Sequence, residues 1–207
     1  MTGLLPRAPV NRTVYVVDDD AAVRDALGML LRTAGLRVEC FESAAAFLRL
    51  KRRDPAACII LDIRMPGLSG MALHKALAEA GSANPVIFVT GHGDIPMAVE
   101  AVKQGAFDFV EKPFDDDQLL RQVLSALEHA ADLRRENADR SVRDGRLAQL
   151  SQREQQVLEH VLAGKPSREI ARELMISLKT VEFHRARIMG KLGVRSVAQL
   201  FRLCLAR

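Results

Sequence analysis

Five residues far apart in the chain could share one piece of chemistry. Asp18, Asp19 and Asp62 are carboxylates, Thr90 carries a hydroxyl and Lys112 an ammonium, and each follows a short apolar run. Val14-Tyr15-Val16-Val17 leads into the acids at 18–20, and Cys58-Ile59-Ile60-Leu61 into Asp62. Val86-Ile87-Phe88-Val89 leads into Thr90-Gly91, and Phe107-Asp108-Phe109-Val110 into Glu111-Lys112-Pro113. Runs of this length, bounded by turn residues, read as buried strands. In a parallel sheet their carboxyl ends line one edge, which is where ligands bind. Three carboxylates crowded there repel one another unless a cation intervenes, and a hard divalent ion with oxygen ligands, Mg²⁺ before others, answers that need. A carboxylate held in this way can act as a nucleophile and form an aspartyl phosphate. Lys112 would neutralise the transferring phosphoryl group and Thr90 would donate a hydrogen bond to it. Asp62, followed by the turn at Pro66-Gly67, is the expected acceptor, whereas Asp20 reads as a helix N-cap.

These side chains need a particular set of elements to hold them. Asp20 opens a helix to about Ala34 with Val23, Leu27, Leu30 and Leu31 on one face, and Gly35 stops it. A second strand is expected over 36–41, a helix capped by Ser43 over 43–51, and a helix burying Leu73 and Leu77 after Gly70. His74 on that helix reads as an ordinary surface residue. Further elements are a strand over 85–90, a helix over 95–104 and a strand over 107–111. Five strands alternating with helices in about 115–120 residues imply a doubly wound parallel sheet covered on both faces. A long helix begins near Asp116, with Leu119, Leu120, Val123, Leu124 and Leu127 as its stripe. Past about Glu136 the chain is rich in charge and lacks an apolar face, and Gly145 is expected to break it. That linker reads equally as a helical extension or a tether.

Composition agrees with a two-domain chain. The 207 residues carry 30 Lys+Arg and 26 Asp+Glu. Residues 1–128 hold 14 basic and 17 acidic side chains, and 129–207 hold 16 and 9, so −3 and +7 make up the net +4. An acidic front and a basic back point to different partners, the second polyanionic. No apolar run approaches the ~20 residues of a membrane span, and residues 1–12 resemble a loose tail rather than a signal peptide. A cytoplasmic protein is expected. Cys40, Cys58 and Cys204 lack metal-ligand spacing and read as reduced thiols. His92 and Asp94 read as polar loop residues.

From Leu150 the periodicity is helical throughout. Ser151 with Glu154 makes a capping-box pair, and helices follow over about 152–163, 167–174, 177–192 and from 196 onward. The turn at Met175-Ile176 has helix-turn-helix spacing. In the third helix Val181, Ile188 and Leu192 should face inward. Lys179, Glu182, Phe183, Ala186, Arg187 and Gly190 should then face outward, with Thr180, His184 and Lys191 along one flank. Lys179, Arg187 and Lys191 suit phosphates. Phe183 suits a thymine methyl and Glu182 a cytosine amino group, and Ala186 and Gly190 permit a close approach.

Two resemblances gather these features. Val-Val-Asp-Asp-Asp (16–20), Leu-Asp-Ile-Arg-Met-Pro-Gly (61–67), Thr-Gly-His-Gly-Asp (90–94) and Asp-Phe-Val-Glu-Lys-Pro-Phe (108–114) resemble a response-regulator receiver domain of the FixJ-like branch. The resemblance implies a flavodoxin-like sheet and phosphorylation of Asp62 by a sensor histidine kinase. It further implies Mg²⁺ on Asp19, Asp62 and the backbone carbonyl of Arg64, with Asp18 acting through water. Thr90 and Phe109 would form the switch, Lys112–Pro113 would be cis, and residues 97–112 would change and dimerise. Leu-Ser-Gln-Arg-Glu-Gln-Gln-Val-Leu (150–158), Ser-Arg-Glu-Ile-Ala (167–171) and Lys-Thr-Val-Glu-Phe-His-Arg (179–185) are similar to a LuxR-type helix-turn-helix domain. Leu178 departs from the proline of many relatives. This second resemblance implies a recognition helix over 177–192 and dimers on double-stranded DNA. Its contact set would be Lys179, Thr180, Glu182, Phe183, His184, Arg185, Ala186, Arg187 and Lys191. The domains would be a receiver over 13–128, a linker over 129–147 and a DNA-binding domain over 148–207. The implied function is transcription regulation gated by Asp62, without enzymatic turnover and with RNA polymerase downstream. Two rivals remain: a phosphoaspartate phosphatase, for which no general acid stands near Ile63-Arg64, and a DNA-binding protein indifferent to phosphorylation.

Overall fold

The computed structural model describes residues 12–51, 53–91 and 95–205. The tail at 1–11 and the pair His92 and Asp94 lie outside them. Contacts divide the chain into two compact units, with the boundary inside one helix between Arg135 and Glu136.

The first unit is a five-stranded parallel sheet in the order β2-β1-β3-β4-β5. Its strands are β1 (Thr13–Val17), β2 (Arg37–Phe41), β3 (Cys58–Asp62), β4 (Val86–Thr90) and β5 (Asp108–Glu111). Between them run α1 (Ala21–Thr33), α2 (Ala44–Leu48), α3 (Gly70–Glu79) and α4 (Ile95–Lys103), and α5 (Asp116–Leu147) follows. The two-residue period of the strands sorts their side chains onto two faces. Val14, Val16, Cys58, Ile60, Ile87 and Val89 pack with Leu27, Leu31, Leu119, Val123 and Leu127 of α1 and α5. Tyr15, Val17, Ile59, Leu61 and Phe88 pack with Phe47, Leu73, Leu77 and Ala101 of α2, α3 and α4. β1, β3 and β4 are buried on both faces, so they read as unbroken apolar runs. Asp20 caps α1 by accepting from the Ala22 and Val23 amides, Ser43 caps α2, and Ser69 caps α3.

The expectation that Gly145 breaks the segment after Glu136 is corrected. α5 runs for 32 residues, through Gly145, to Leu147. A single glycine costs a helix only about 1 kcal/mol against alanine, and this segment has no proline and is dominated by good helix formers. The second unit contains the end of α5 with α6 (Gln152–Leu162), α7 (Ser167–Glu173), α8 (Leu178–Leu192) and α9 (Val197–Leu205). Val157, Leu158, Val161, Ile170, Val181, Ile188, Leu192 and Leu200 form its core. Met175, in the turn between α7 and α8, has φ of 52° and is 91% exposed, a conformation easier for glycine. Among the described residues no helix is long and apolar enough to cross a membrane.

The expectation for His74 is corrected. Its ring is buried edge-on against Phe88, with centroids 5.6 Å apart, and its Nδ1 has no hydrogen-bond partner. Burial lowers its pKa. The unfolded chain therefore binds this proton more readily, and stability should fall as pH drops from about 6.5 toward the folded value. His74→Leu should be at least as stable as wild type at pH 7.5 and should lose less between pH 7 and 5.5. Urea unfolding across that range checks it, and an unchanged slope would contradict it.

Candidate functional site

Strand order brings the five residues singled out in the sequence to one edge. β1 and β3 are neighbours, so Asp18 and Asp62 emerge side by side, and Thr90 and Lys112 follow from β4 and β5. The Lys112 ammonium donates to Asp18 Oδ2 at 2.8 Å and to Asp62 Oδ1 at 3.0 Å. The Lys112 amide donates to the Thr90 carbonyl at 2.7 Å, which fixes the lysine beside the hydroxyl. Thr90 is fully buried, and its hydroxyl donates to the Gly91 carbonyl at 3.1 Å. Asp62 Oδ2 accepts from the Arg64 amide, and Asp18 Oδ1 accepts from the Asp20 amide, both at 2.8 Å. Asp19 is exposed at the rim. Lys112–Pro113 is cis. Phe109 is half-buried against the α2, α3 and α4 core, and α4 exposes Met97, Val99 and Val102.

Two further residues belong to this edge. Arg24 of α1 donates to the Asp18 carbonyl at 2.7 Å. Gly70 opens α3 directly against the loop that follows Asp62, where its amide donates to the Ile63 carbonyl at 3.0 Å and a Cβ would collide with the Asp62 carbonyl. The sequence marked Gly70 only as a helix start, and nothing local marked Arg24.

The electrostatics of the pair are asymmetric. Burial alone would lower the Lys112 pKa, but hydrogen bonds to Asp18 and Asp62 outweigh it and the net shift is upward. Asp62 also moves upward, because burial and the Asp18 charge outweigh what Lys112 returns. An ion pair acting alone would lower the acid, so desolvation governs Asp62. Two carboxylates against one ammonium leave an excess of negative charge, and every donor is hard oxygen, which suits Mg²⁺. Among the described residues, no three His, Cys, Asp or Glu side chains are drawn together closely enough to hold a metal.

The second unit presents a different surface. Along α8, Lys179, Glu182, Phe183, Ala186, Arg187 and Gly190 are exposed, while Thr180, His184, Arg185 and Lys191 are partly covered. Ser177 caps the helix by accepting from the Thr180 amide. Phe183 is 57% exposed, with the Arg187 guanidinium 5.5 Å from its ring centroid. Arg185 donates to Ser167 Oγ at 3.2 Å. The partner that no local signal revealed is Glu154, which is buried and receives Lys191 at 2.6 Å.

An acid pair, a hydroxyl and a lysine at the carboxyl edge of a 2-1-3-4-5 sheet, joined to a helix-turn-helix bundle, define a receiver coupled to a DNA-binding module. Residues 14–124 match the response regulator receiver domain, and residues 148–204 match the bacterial regulatory proteins of the luxR family. The response regulator TodT of Pseudomonas putida is 46% identical over 98% of this chain and 89% of its own length. The transcriptional regulatory protein FixJ of Bradyrhizobium diazoefficiens is 44% identical over 93% of this chain and 94% of its own. A solved structure of the response regulator StyR superimposes with a TM-score of 0.87 at 42% identity, covering 96% of this chain and all of that one. Full-length FixJ from B. japonicum gives 0.60 at 43% identity over 95% and 97%. The chain belongs to the two-component response regulators that carry a receiver and a LuxR-type DNA-binding domain, and it is a phosphorylation-controlled transcription regulator.

Because burial raises its pKa, the Asp62 carboxylate lowers stability at neutral pH. The cost develops as pH rises from the unfolded value near 3.9 through the folded one. Asp62→Asn should stabilise the receiver by on the order of 1 kcal/mol at pH 7 in EDTA, and the gain should shrink toward pH 4. Thermal unfolding at several pH values checks it. A variant less stable than wild type at pH 7 would contradict the burden assigned to Asp62.

Proposed function

We propose that Asp62 is the phosphoryl acceptor and that Lys112 and Thr90 complete its site. The observation that carries this reading is the Lys112 ammonium held between Asp18 and Asp62, beside the buried Thr90. Lys112 is placed to offset charge on a phosphoryl group arriving at Asp62, and Thr90 to turn its hydroxyl from Gly91 toward it. Asp19, Asp62 and the Arg64 carbonyl would hold Mg²⁺, with Asp18 acting through water. The ion would supply charge compensation for nucleophile and donor. Phosphoryl transfer comes from a sensor histidine kinase. The reaction modifies the protein once rather than turning over a substrate, as befits a transcriptional family.

Turning Thr90 inward vacates space that the half-buried Phe109 can fill, and the exposed apolar positions of α4 and the segment through 112 supply the surface for a homodimer. In the second unit, Lys179, Thr180, Glu182, Phe183, Ala186 and Arg187 form the DNA face of α8, with His184, Arg185 and Lys191 behind it. An exposed phenylalanine beside basic residues has no folding role and suits base-edge contact. The functional domains are the receiver over 13–128, the linker over 129–147 and the DNA-binding domain over 148–207. The regulator acts in the cytoplasm and passes its signal to RNA polymerase.

Intact mass after incubation with acetyl phosphate and Mg²⁺ should show one phosphoryl adduct on wild type and none on Asp62→Asn. The modified chain should bind a duplex selected from a random pool at least ten-fold more tightly, a coupling within the usual range. An adduct on both proteins would overturn the acceptor assignment. An adduct without tighter binding would overturn the gating.

A further inference from the structure

Lys191 is a long cation on the proposed DNA-reading helix, yet its charge is engaged inside the protein. Its ammonium donates to Glu154 Oε2 at 2.6 Å and to the Gln149 carbonyl at 3.0 Å. Only 28% of the Lys191 side chain and 2% of the Glu154 side chain are exposed. Glu154 is also the N3 member of the α6 capping box, where the same Oε2 accepts from the Ser151 amide at 2.8 Å. Its other oxygen lies 3.6 Å from Arg187 Nε.

Neighbouring contacts converge on the same segment. Arg146, at the end of α5, donates to the Leu192 carbonyl at 3.1 Å, an otherwise open acceptor at the C-terminal end of α8. Arg153 donates to the Leu174 carbonyl at 2.7 Å, in the turn that precedes α8. Residues 146–154 therefore grip the recognition helix at its far end and the turn at its near end. A helix packed only by Val181, Ile188 and Leu192 could still slide or rotate by small amounts. Directional bonds at both ends remove that freedom.

We infer that Glu154 and Lys191, together with Arg146 and the Gln149 carbonyl, form a latch that sets the register of α8, so that Lys191 is a positioning residue for DNA recognition rather than a phosphate ligand. The inference rests on the reading of α8 as the DNA-contacting helix. It also makes the end of α5 part of the recognition apparatus, because Arg146 belongs to α5 and Gln149 follows the helix end by two residues.

Phosphate contact and positioning leave different signatures in salt. Each lost phosphate contact reduces the slope of log K against log salt by about one, whereas lost positioning weakens specific binding with the slope kept. The test uses the full chain with beryllofluoride and Mg²⁺. Its probes are a duplex enriched from a random pool by wild type and a shuffled duplex of the same composition. Lys191→Met, Glu154→Gln and Arg146→Met should each weaken binding to the enriched duplex by roughly ten-fold, leave the shuffled duplex nearly unaffected and keep the slope. The Glu154→Gln/Lys191→Met double variant should be little worse than either single one, because both remove the same contact. Lys179→Ala should lower the slope by about one on both duplexes. Arg146→Met loses only an outer hydrogen bond, so it remains readable if a Glu154 variant unfolds. A slope lowered by about one in Lys191→Met would overturn the latch while leaving α8 on DNA. An unchanged slope in Lys179→Ala would overturn the DNA-facing reading of α8, and the latch with it.

Discussion

Two carboxylates that repel each other are held side by side under one ammonium, and the receiver depends on that arrangement. Asp18 and Asp62 come from adjacent strands, and Lys112 reaches them from β5, across β4. The long lysine side chain spans that gap, and the parallel strands bring all these side chains to the same edge. The pair is poised rather than settled, because Asp62 is more costly to ionise here than in water. A phosphoryl group on Asp62, as proposed, would alter the charge that Lys112 answers and would give Thr90 a new acceptor. The response thus begins as a local change in charge balance, as switches of this kind do.

The DNA-binding unit uses a related device for another end. There a buried acid holds a cation so that a helix stays in place. In that small bundle the hydrogen bond from Lys191 and the Ser151 amide outweigh the burial penalty, and Glu154 is held down to a pKa of about 2. At Asp62, by contrast, burial outweighs what Lys112 and the Arg64 amide return. One acid is strained for chemistry and the other is satisfied for geometry.

Much of this was legible in the sequence because it is encoded locally. The apolar runs before Asp18, Asp62 and Thr90, and the caps at Asp20, Ser43, Ser151 and Ser177, each declare their element within a few residues. The exposed stripe of α8 followed from periodicity, since Val181, Ile188 and Leu192 fix which side is buried. Groups defined by distant partners were not legible. His74 looked like a surface residue because its burial depends on Phe88 of β4. The Glu154–Lys191 pair spans 37 residues, and the capping-box signal accounted for Glu154 without suggesting a second role. The continuity of α5 through Gly145, where a break was expected, was not legible either, because a charge-rich segment without an apolar face carries no periodic signal to set against the glycine.

If Asp62 is the acceptor and α8 the DNA-reading helix, as proposed, the state of one and the engagement of the other are two ends of one equilibrium. Thermodynamic coupling of that kind is reciprocal. The most direct measurement is the affinity of the full chain for beryllofluoride in Mg²⁺, with and without saturating enriched duplex. DNA should tighten beryllofluoride binding by the same factor by which beryllofluoride tightens DNA binding. An affinity indifferent to DNA would contradict the account, since it would leave the phosphoacceptor edge and the recognition helix in one chain without a shared equilibrium.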